Sequence, residues 1–91
     1  MNKYENVIIV LPEVNQSEII KKYSDLINNN GNLINVEDKG KKQLAYEIRK
    51  RKEGRYIIFE FESEAEFIAE LERQYRIDDN IMKFIVVRRD D

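Results

Sequence analysis

The sequence predicts an α+β domain with the element order β-α-β-β-α-β, and three observations lead to this prediction. Four short segments are rich in Val, Ile, Phe and Tyr, which favour strands. Two other segments carry apolar residues at the spacing of an amphipathic helix. The second and third strand segments are separated only by a short basic stretch, which predicts a hairpin. With 91 residues the chain forms one domain, placed at residues 1–91, with a modest core.

The first strand and the first helix have clear boundaries. Residues 3–11 predict a strand with apolar residues on both faces, and Pro12 ends it. Asn15 and Glu18 match the capping box that begins a helix. We expect this helix to end at Gly31, with the glycine in the left-handed conformation. The apolar residues at helical spacing are Ile19, Ile20, Tyr23, Leu26 and Ile27.

The middle of the chain predicts one long hairpin. Residues 32–38 and 43–48 both favour a strand, and Gly40 between them predicts a bulge rather than an end. The third strand covers residues 55–62. A glycine-containing turn signal after the basic cluster places the tip of the hairpin near Lys50–Gly54.

The last part of the chain predicts a second helix and a fourth strand. Ser63 and Glu66 match another capping box, and the helix is expected to run to about Tyr75. Its inward residues are Phe67, Ile68, Leu71 and Tyr75. Residues 78–80 predict a turn, and residues 82–88 predict the fourth strand, apolar on both faces.

This element order predicts a ferredoxin-like topology. Two split β-α-β units with right-handed crossovers give a four-stranded antiparallel sheet in the order 4-1-3-2, with both helices on one face. The other face is then uncovered, although the first and fourth strands place apolar residues on it. Because a monomer rarely exposes a large apolar patch, we expect this face, or one edge of it, to dock a partner.

The basic residues are concentrated in the predicted hairpin. Residues 39–55 hold eight of the 16 Lys and Arg residues and only two acidic ones, so this segment carries +6 and the remainder −8. Such a concentration is typical of nucleic-acid contact, although it can also be a solvated face that discourages edge aggregation. Tyr46 and Tyr56 lie within or beside the cluster, and aromatic rings can stack on unpaired bases.

The composition argues against several kinds of chemistry. Without cysteine there is no disulfide or thiolate metal site, and without histidine the serines lack the usual activating base. Glu60 and Glu62 are explained more simply as part of a solvated strand face than as a catalytic pair. Asp78-Asp79 is explained more simply as a turn than as a metal-binding pair. The apolar runs are too short to span a membrane, and the N-terminus does not match a signal peptide. We therefore expect no enzyme activity, cofactor, metal, small-molecule substrate or membrane association.

Two functions stay open from the residues alone. One is RNA binding through the hairpin, and the other is a protein-interaction or regulatory module that uses the open sheet face. The third strand does not match the aromatic signature of RNA-recognition modules, which share this topology. The topology alone does not choose between these functions.

Several motifs resemble the bacterial small-subunit ribosomal protein number six family. They are Lys3-Tyr4-Glu5, the segment from Glu37 to Ile48 with its Gly-Lys-Lys-Gln-Leu-Ala-Tyr element, Gly54-Arg55-Tyr56, Leu71-Glu72-Arg73, Arg76-Ile77-Asp78-Asp79-Asn80 and Val86-Val87-Arg88. Their order and spacing follow the family from about Lys3 to Arg89.

The resemblance implies a structural component of the small ribosomal subunit. Such a protein would bind the central domain of small-subunit ribosomal RNA together with ribosomal protein number eighteen, on a cytoplasmic ribosome or on an organellar one of bacterial descent. Candidate phosphate contacts are Lys3, Lys41, Lys42, Arg49, Lys50, Arg51, Lys52 and Arg88, with Arg89 as a weaker addition. Tyr4 and Tyr46 are candidates for base stacking or for contact with the partner protein, with ordinary sheet packing as the alternative.

The sequence departs from the family pattern at two positions. Lys39 stands where many members have tryptophan or another large apolar residue, which puts a packing or stacking contact there in doubt. Glu47 stands where many members have proline, which could restore a backbone donor and lowers the positive charge of the hairpin by one.

Overall fold

The computed structural model describes residues 1–89 and contains the six predicted elements in the predicted order. They are β1 (Asn2–Val10), α1 (Gln16–Asn30), β2 (Gly31–Ile48), β3 (Arg51–Ser63), α2 (Glu66–Ile77) and β4 (Ile81–Arg89). The strands form one antiparallel sheet in the order β2-β3-β1-β4, which confirms the predicted order read from the opposite edge. Within the described residues, no helix is both long and apolar enough to cross a membrane.

The core lies between the sheet and the two helices. Alternate residues of the central strands are fully buried on this side, including Ile8, Ile57, Phe59 and Phe61. The helices complete the core with residues at helical spacing: Ile19, Tyr23 and Ile27 from α1, and Phe67, Leu71 and Tyr75 from α2. Because successive side chains of a strand point to opposite faces, the residues between them form the open face of the sheet.

Helix α1 begins as predicted but ends for a different reason. The Asn15 side chain accepts hydrogen bonds from the backbone N–H groups of Ser17 and Glu18, at 3.0 and 3.3 Å. The prediction of a left-handed Gly31 is wrong, because its φ and ψ are −179° and −147°, which is extended backbone. A Cβ on Gly31 would lie 2.1 Å from the carbonyl oxygen of Glu62. The glycine is needed there for close approach of two strands.

The predicted cap of α2 is also wrong. Ser63 is the last residue of β3 and is fully buried, and its hydroxyl donates to the backbone oxygen of Glu64. Ala65 occupies the N-cap position, and no side chain among the described residues caps the helix. Ser63 therefore belongs to the strand, although the local sequence pattern assigned it to the start of the helix.

The hairpin contains the predicted bulge but turns at a different place. The pairing of β2 with β3 shifts between Asp38 and Gly40, and Gly40 has a φ of +79°, as a bulge glycine allows. The tip lies at Arg49-Lys50 rather than near Lys50–Gly54, with both residues at positive φ. Gly54 pairs with Lys42 inside the strands and is buried.

Two buried polar contacts join the helices to their surroundings. The Tyr23 hydroxyl of α1 donates to the Asp78 carboxylate at the end of α2, and Lys22 reaches the same oxygen at 3.0 Å. The Tyr75 hydroxyl donates to the side-chain oxygen of Asn6 in β1. Burial and the Asp78 contact raise the pKa of Tyr23 far above its ordinary value, so this hydroxyl keeps its proton.

Candidate nucleic-acid interface

The basic arm, residues 39–55, is a hairpin end that bends back onto the body of the protein. After Gln43 pairs with Glu53, the next pair is Ile48 with Arg51, so residues 44–47 bulge out of the ladder. This bulge brings the Tyr46 hydroxyl within 3.2 Å of the Lys83 amino group on β4. At the tip, the Arg49 guanidinium donates to the backbone oxygen of Asp79 at 2.7 Å. The arm thus crosses one end of the sheet towards β4.

Four lysines of the arm form no ion pair with any carboxylate among residues 1–89. We call them the lysine quartet: Lys41, Lys42, Lys50 and Lys52, all exposed. None of the four charges is therefore paired directly, although Lys41 lies near enough to Glu13 to help lower the pKa of that carboxyl. An extended cluster of exposed lysines without direct ion pairs attracts a polyanion, and phosphate contact releases the counterions of that polyanion.

The remaining basic residues of the arm already contact the protein itself. Arg51 forms a two-point contact with Glu13 of the β1–α1 loop, and Arg55 contacts both carboxylate oxygens of Asp38 at 2.9 and 3.0 Å. Lys39 pairs with Glu37 at 2.7 Å. The hydrogen bond and charge of Arg51 hold the pKa of the Glu13 carboxyl below its usual range, so this carboxylate stays ionised at neutral pH.

Aromatic and cationic side chains alternate where the arm meets the sheet, and we call Lys42, Tyr46, Tyr56 and Lys83 the cation–tyrosine cluster. Tyr46 is 63% exposed, and its ring lies 5.7 Å from the Lys83 amino group. The Lys42 amino group lies at the same distance from the Tyr56 ring. A cavity of about 150 Å³ lies under the bulge and is lined by both tyrosines, Lys83, Ile9, Leu44, Ala45 and Ile48.

Sequence reasoning missed Lys83 in this cluster. It lies on β4, 37 residues from Tyr46, and was predicted only as part of a strand. The antiparallel pairing of β1 with β4, together with the bent arm, brings it to Tyr46. No local motif could have found it, although its position as a lone lysine in an apolar strand was visible.

The candidate residues at the chain ends lie away from the arm. Lys3 pairs with Arg89, and Tyr4 with Arg88, at the end of β1 opposite Val10. Val10 lies seven residue steps after Lys3 along the strand, which corresponds to roughly 23 Å. Lys3 and Arg88 are both exposed, and Arg89 contacts Glu5 at 2.8 Å. The structure therefore divides the predicted phosphate contacts into two groups at opposite ends of the sheet.

Tyr4 and Tyr46 have different surroundings. Tyr4 is 6% exposed and stacks on Phe61 with ring centroids 5.5 Å apart. Its ring belongs to the core, which corresponds to the sheet-packing alternative and leaves no open ring face for a base. Tyr46 is largely exposed and remains open to a ligand or a partner.

The open face carries an apolar strip at its centre, as the patterning of β1 and β4 predicts. We define the open-face strip as Val7, Ile58, Ile85 and Val87. Val7 pairs with both Ile58 and Ile85 on the neighbouring strands, and Ile85 and Val87 are each 50% exposed. A shallow cavity of about 200 Å³ lies between this strip and the cation–tyrosine cluster, lined by Val7, Ile9, Tyr56, Lys83, Phe84 and Ile85.

The arrangement contains no group of acidic side chains that could hold a metal ion, as far as residues 1–89 are concerned. The arm and the open face instead offer charge, aromatic rings and apolar surface. These are the elements of a binding surface for a macromolecule.

Comparison with known proteins is consistent across sequence and structure. Residues 3–88 match the family model for ribosomal protein S6. The small ribosomal subunit protein bS6 of Caldanaerobacter subterraneus subsp. tengcongensis is 36% identical, with all of both chains covered. The protein of the same name from Solidesulfovibrio magneticus is 39% identical over all of this chain and 93% of the relative. The crystal structure of 30S ribosomal protein S6 from Thermotoga maritima matches with a TM-score of 0.89 at 30% identity, over 97% of this chain and 87% of that one.

Proposed function

Because the chain belongs to the ribosomal protein S6 family of the small ribosomal subunit, we propose that it binds ribosomal RNA through its basic arm. The RNA is the central domain of small-subunit ribosomal RNA, and the partner in this binding is ribosomal protein number eighteen. The role is structural and involves no catalysis, cofactor or small-molecule substrate. The protein then works on the ribosome in the cytoplasm, or on an organellar ribosome of bacterial descent.

The observation that carries the RNA proposal is the exposed lysine quartet, whose members form no direct ion pair among residues 1–89. Lysine ammonium groups bind phosphates as point charges and position a protein without reading sequence. The four groups extend on both strands of the arm around a turn, so they can follow a phosphate backbone. The total charge of the protein is −2, so attraction to RNA depends on this local cluster.

Tyr46 supplies a second kind of contact to the same RNA. Its exposed ring is suited to stacking on an unpaired base, and Lys83 beside it is placed for a neighbouring phosphate. The cavity beneath the bulge, at about 150 Å³, gives the edge of such a base room to enter. Lys83 therefore joins the proposed RNA-binding residues.

The open-face strip supports the proposed protein partnership. Half-exposed Ile85 and Val87 lie beside Val7 on the sheet face opposite the two helices α1 and α2. Covering these apolar groups with a partner removes them from water and favours association. The strip adjoins the cation–tyrosine cluster, so a partner on the open face and RNA on the arm would be neighbours. Lys3 and Arg88, at the far end of this sheet, would then meet RNA only beyond the partner.

The test of RNA binding is a salt series on a central-domain RNA fragment, with and without protein number eighteen. We expect tight binding that needs the partner. Replacing the quartet by glutamine should flatten the plot of log affinity against log salt by about 3, since each lost phosphate contact contributes about 0.7–0.9. The matched control is a comparison of two double variants. One combines Lys50→Gln and Lys52→Gln in the arm, and the other combines Lys21→Gln and Arg73→Gln on the helices. An equal loss in both doubles would contradict a role specific to the arm.

The test of the partner surface uses two exposed isoleucines. Ile85→Asp places a charge in the open-face strip, whereas Ile77→Asp places it at the end of α2, where the side chain is 63% exposed. We expect only Ile85→Asp to weaken binding of protein number eighteen. Equal partner affinity for both variants would show that the partner does not bind at the open face.

The second candidate function is a protein-interaction module without RNA binding. The open-face strip favours it, since such a strip suits any apolar partner. It predicts an Ile85→Asp effect on partner binding together with no salt-dependent RNA affinity in the presence of the partner.

A further inference from the structure

The turn at the tip of the basic arm has an unfavourable backbone. Arg49 and Lys50 have φ values of +50° and +64°, a left-handed region that glycine and asparagine adopt more easily. An arginine followed by a lysine in this region is strained, so contacts from the surrounding structure must compensate for the backbone energy. The contacts that compensate come from the arginines rather than from the lysines.

Two arginine side chains tie the turn to the body of the protein. The Nε and Nη2 groups of Arg51 both donate to the Glu13 carboxylate, and its Nη1 group donates to the backbone oxygen of Arg49 at 3.4 Å. The Nη1 group of Arg49 donates to the Asp79 backbone oxygen at 2.7 Å. These partners lie 38 and 30 residues away in sequence, in the β1–α1 loop and in the α2–β4 turn. We call Glu13, Arg49 and Arg51 the arm latch.

We propose that the arm latch positions the lysine quartet for RNA, so that Arg49, Arg51 and the acidic Glu13 are positioning residues rather than phosphate contacts. This inference rests on the proposed function and divides its candidate residues into two classes. The quartet touches phosphate, and the latch holds the quartet in place.

The chemistry of the two side chains supports this division. The planar guanidinium of Arg51 fits a carboxylate by two parallel hydrogen bonds, and Glu13 uses both of its oxygens in that contact. A phosphate that captured Arg51 would leave the Glu13 carboxylate unpaired next to another anion. The lysines of the quartet form no direct ion pair that phosphate binding would have to break among residues 1–89.

The first experiment replaces one acidic residue in the latch and one in the arm outside it. Glu13→Gln weakens the latch, so the fraction of protein with a positioned arm falls, and RNA affinity should fall about two- to five-fold. Glu53→Gln removes the same charge from an exposed arm residue that pairs with Gln43. Because it only reduces repulsion of RNA, affinity should rise, by about two-fold. A rise for both variants would overturn the proposal, since Glu13 would then be an ordinary unfavourable charge.

The second experiment separates positioning from phosphate contact at Arg51. Arg51→Gln should lower affinity at every salt concentration without changing the salt slope, whereas Lys50→Gln should reduce the slope by about 0.7–0.9. Exchanging the charges in the double variant Glu13→Arg with Arg51→Glu should recover most of the affinity that Arg51→Glu alone loses. A reduced slope for Arg51→Gln, with no recovery in the double variant, would make Arg51 a phosphate contact and overturn the latch.

The third experiment uses the free protein and does not depend on RNA. Backbone amide exchange of residues 49–52 should be faster in Glu13→Gln than in the native protein and in Glu53→Gln, while exchange in β1 stays the same. Unchanged exchange at the turn would overturn the latch. If the native protein failed to bind RNA, the proposed function would fail, and this measurement would still decide whether Glu13 holds the arm.

Discussion

The two halves of the β2–β3 hairpin are stabilised in different ways. In the proximal half, where residues 31–38 face residues 57–63, alternate β3 residues are completely buried under the helices. In the distal half, the basic arm, most side chains are exposed, and the bent shape depends on hydrogen bonds, ion pairs and cation–π contacts at the surface. Burial stabilises much more than exposed polar contacts do, so the proximal half supplies stability. The distal half is left free to carry charge.

The comparison is tested most strongly by removing one aromatic side chain from each half. Phe59→Ala empties a fully buried site in the proximal half and should lower the free energy of unfolding by about 3–5 kcal/mol. Tyr46→Ala in the arm should change it by less than about 0.5 kcal/mol. Denaturant unfolding measures both. Similar losses would show that the arm belongs to the cooperative core.

Two glycines give a smaller contrast of the same kind. Gly31→Ala would place a Cβ 2.1 Å from a backbone oxygen in the proximal half and should cost about 3 kcal/mol. Gly40→Ala has open space around it and should cost about 1 kcal/mol, because only its positive φ is unfavourable. Thermal unfolding of the two variants shows which substitution lowers the stability more. If Gly40→Ala lowered the stability more than Gly31→Ala, the close approach of Gly31 to the Glu62 backbone would be contradicted.

A buried carboxylate at the end of α2 should give a pH-dependent effect on stability. Burial acts to raise the pKa of Asp78, but hydrogen bonds from Tyr23, the Asn80 backbone and Lys22 outweigh it and lower the pKa below its ordinary value. The carboxylate therefore stabilises the fold above about pH 4, and this contribution is lost as the pH falls through the lowered folded-state pKa. Asp78→Asn should cost about 2 kcal/mol at pH 7. Its difference from the native protein should shrink towards pH 3.

The control for this prediction is Asp79→Asn, because Asp79 is exposed and offers only its backbone oxygen to Arg49. Unfolding of Asp79→Asn should follow the native curve from pH 7 to pH 3. A constant difference between Asp78→Asn and the native protein over this range would show that the charge of Asp78 contributes nothing.

The smallest effect on stability is expected from the ion pair of the arm. Glu13 and Arg51 are both substantially exposed, and solvent screens such pairs. Glu13→Gln should therefore leave the unfolding midpoint unchanged within error, even though it alters the arm. A clear shift of the midpoint would contradict the separation of stability from arm geometry.

The fold was predictable because its signals are periodic and local. Alternating apolar residues in β1, β3 and β4, and the helical spacing of Ile19, Tyr23 and Ile27, follow directly from how strands and helices bury one face. Errors arose where tertiary contact decides the role of a residue. Ser63 had the pattern of a cap but ends a strand, and Gly31 is required by its approach to Glu62 rather than by helix ending.

The candidate site was predictable in composition but not in detail. The charge of residues 39–55 identified the arm, yet nothing local distinguishes Arg51 from Lys52. That distinction comes from Glu13, which lies 38 residues before Arg51 and reaches it only in the folded protein. Tyr4 and Tyr46 likewise differ because one faces the helices and the other lies in a bulge. Roles that depend on distant partners need the folded structure.

Lysine acetylation footprinting tests the central assignment most directly. The native protein alone, the protein mixed with the proposed partner, protein number eighteen, and the mixture of both with the central-domain RNA fragment are labelled briefly, and each lysine is quantified by mass spectrometry. We predict that Lys41, Lys42, Lys50 and Lys52 react in the free protein and in the protein–protein complex, and become protected when RNA is added. Lys21 on α1 should stay reactive in all three states. A quartet that remains reactive with RNA bound, or protection of Lys21 instead, would contradict the account.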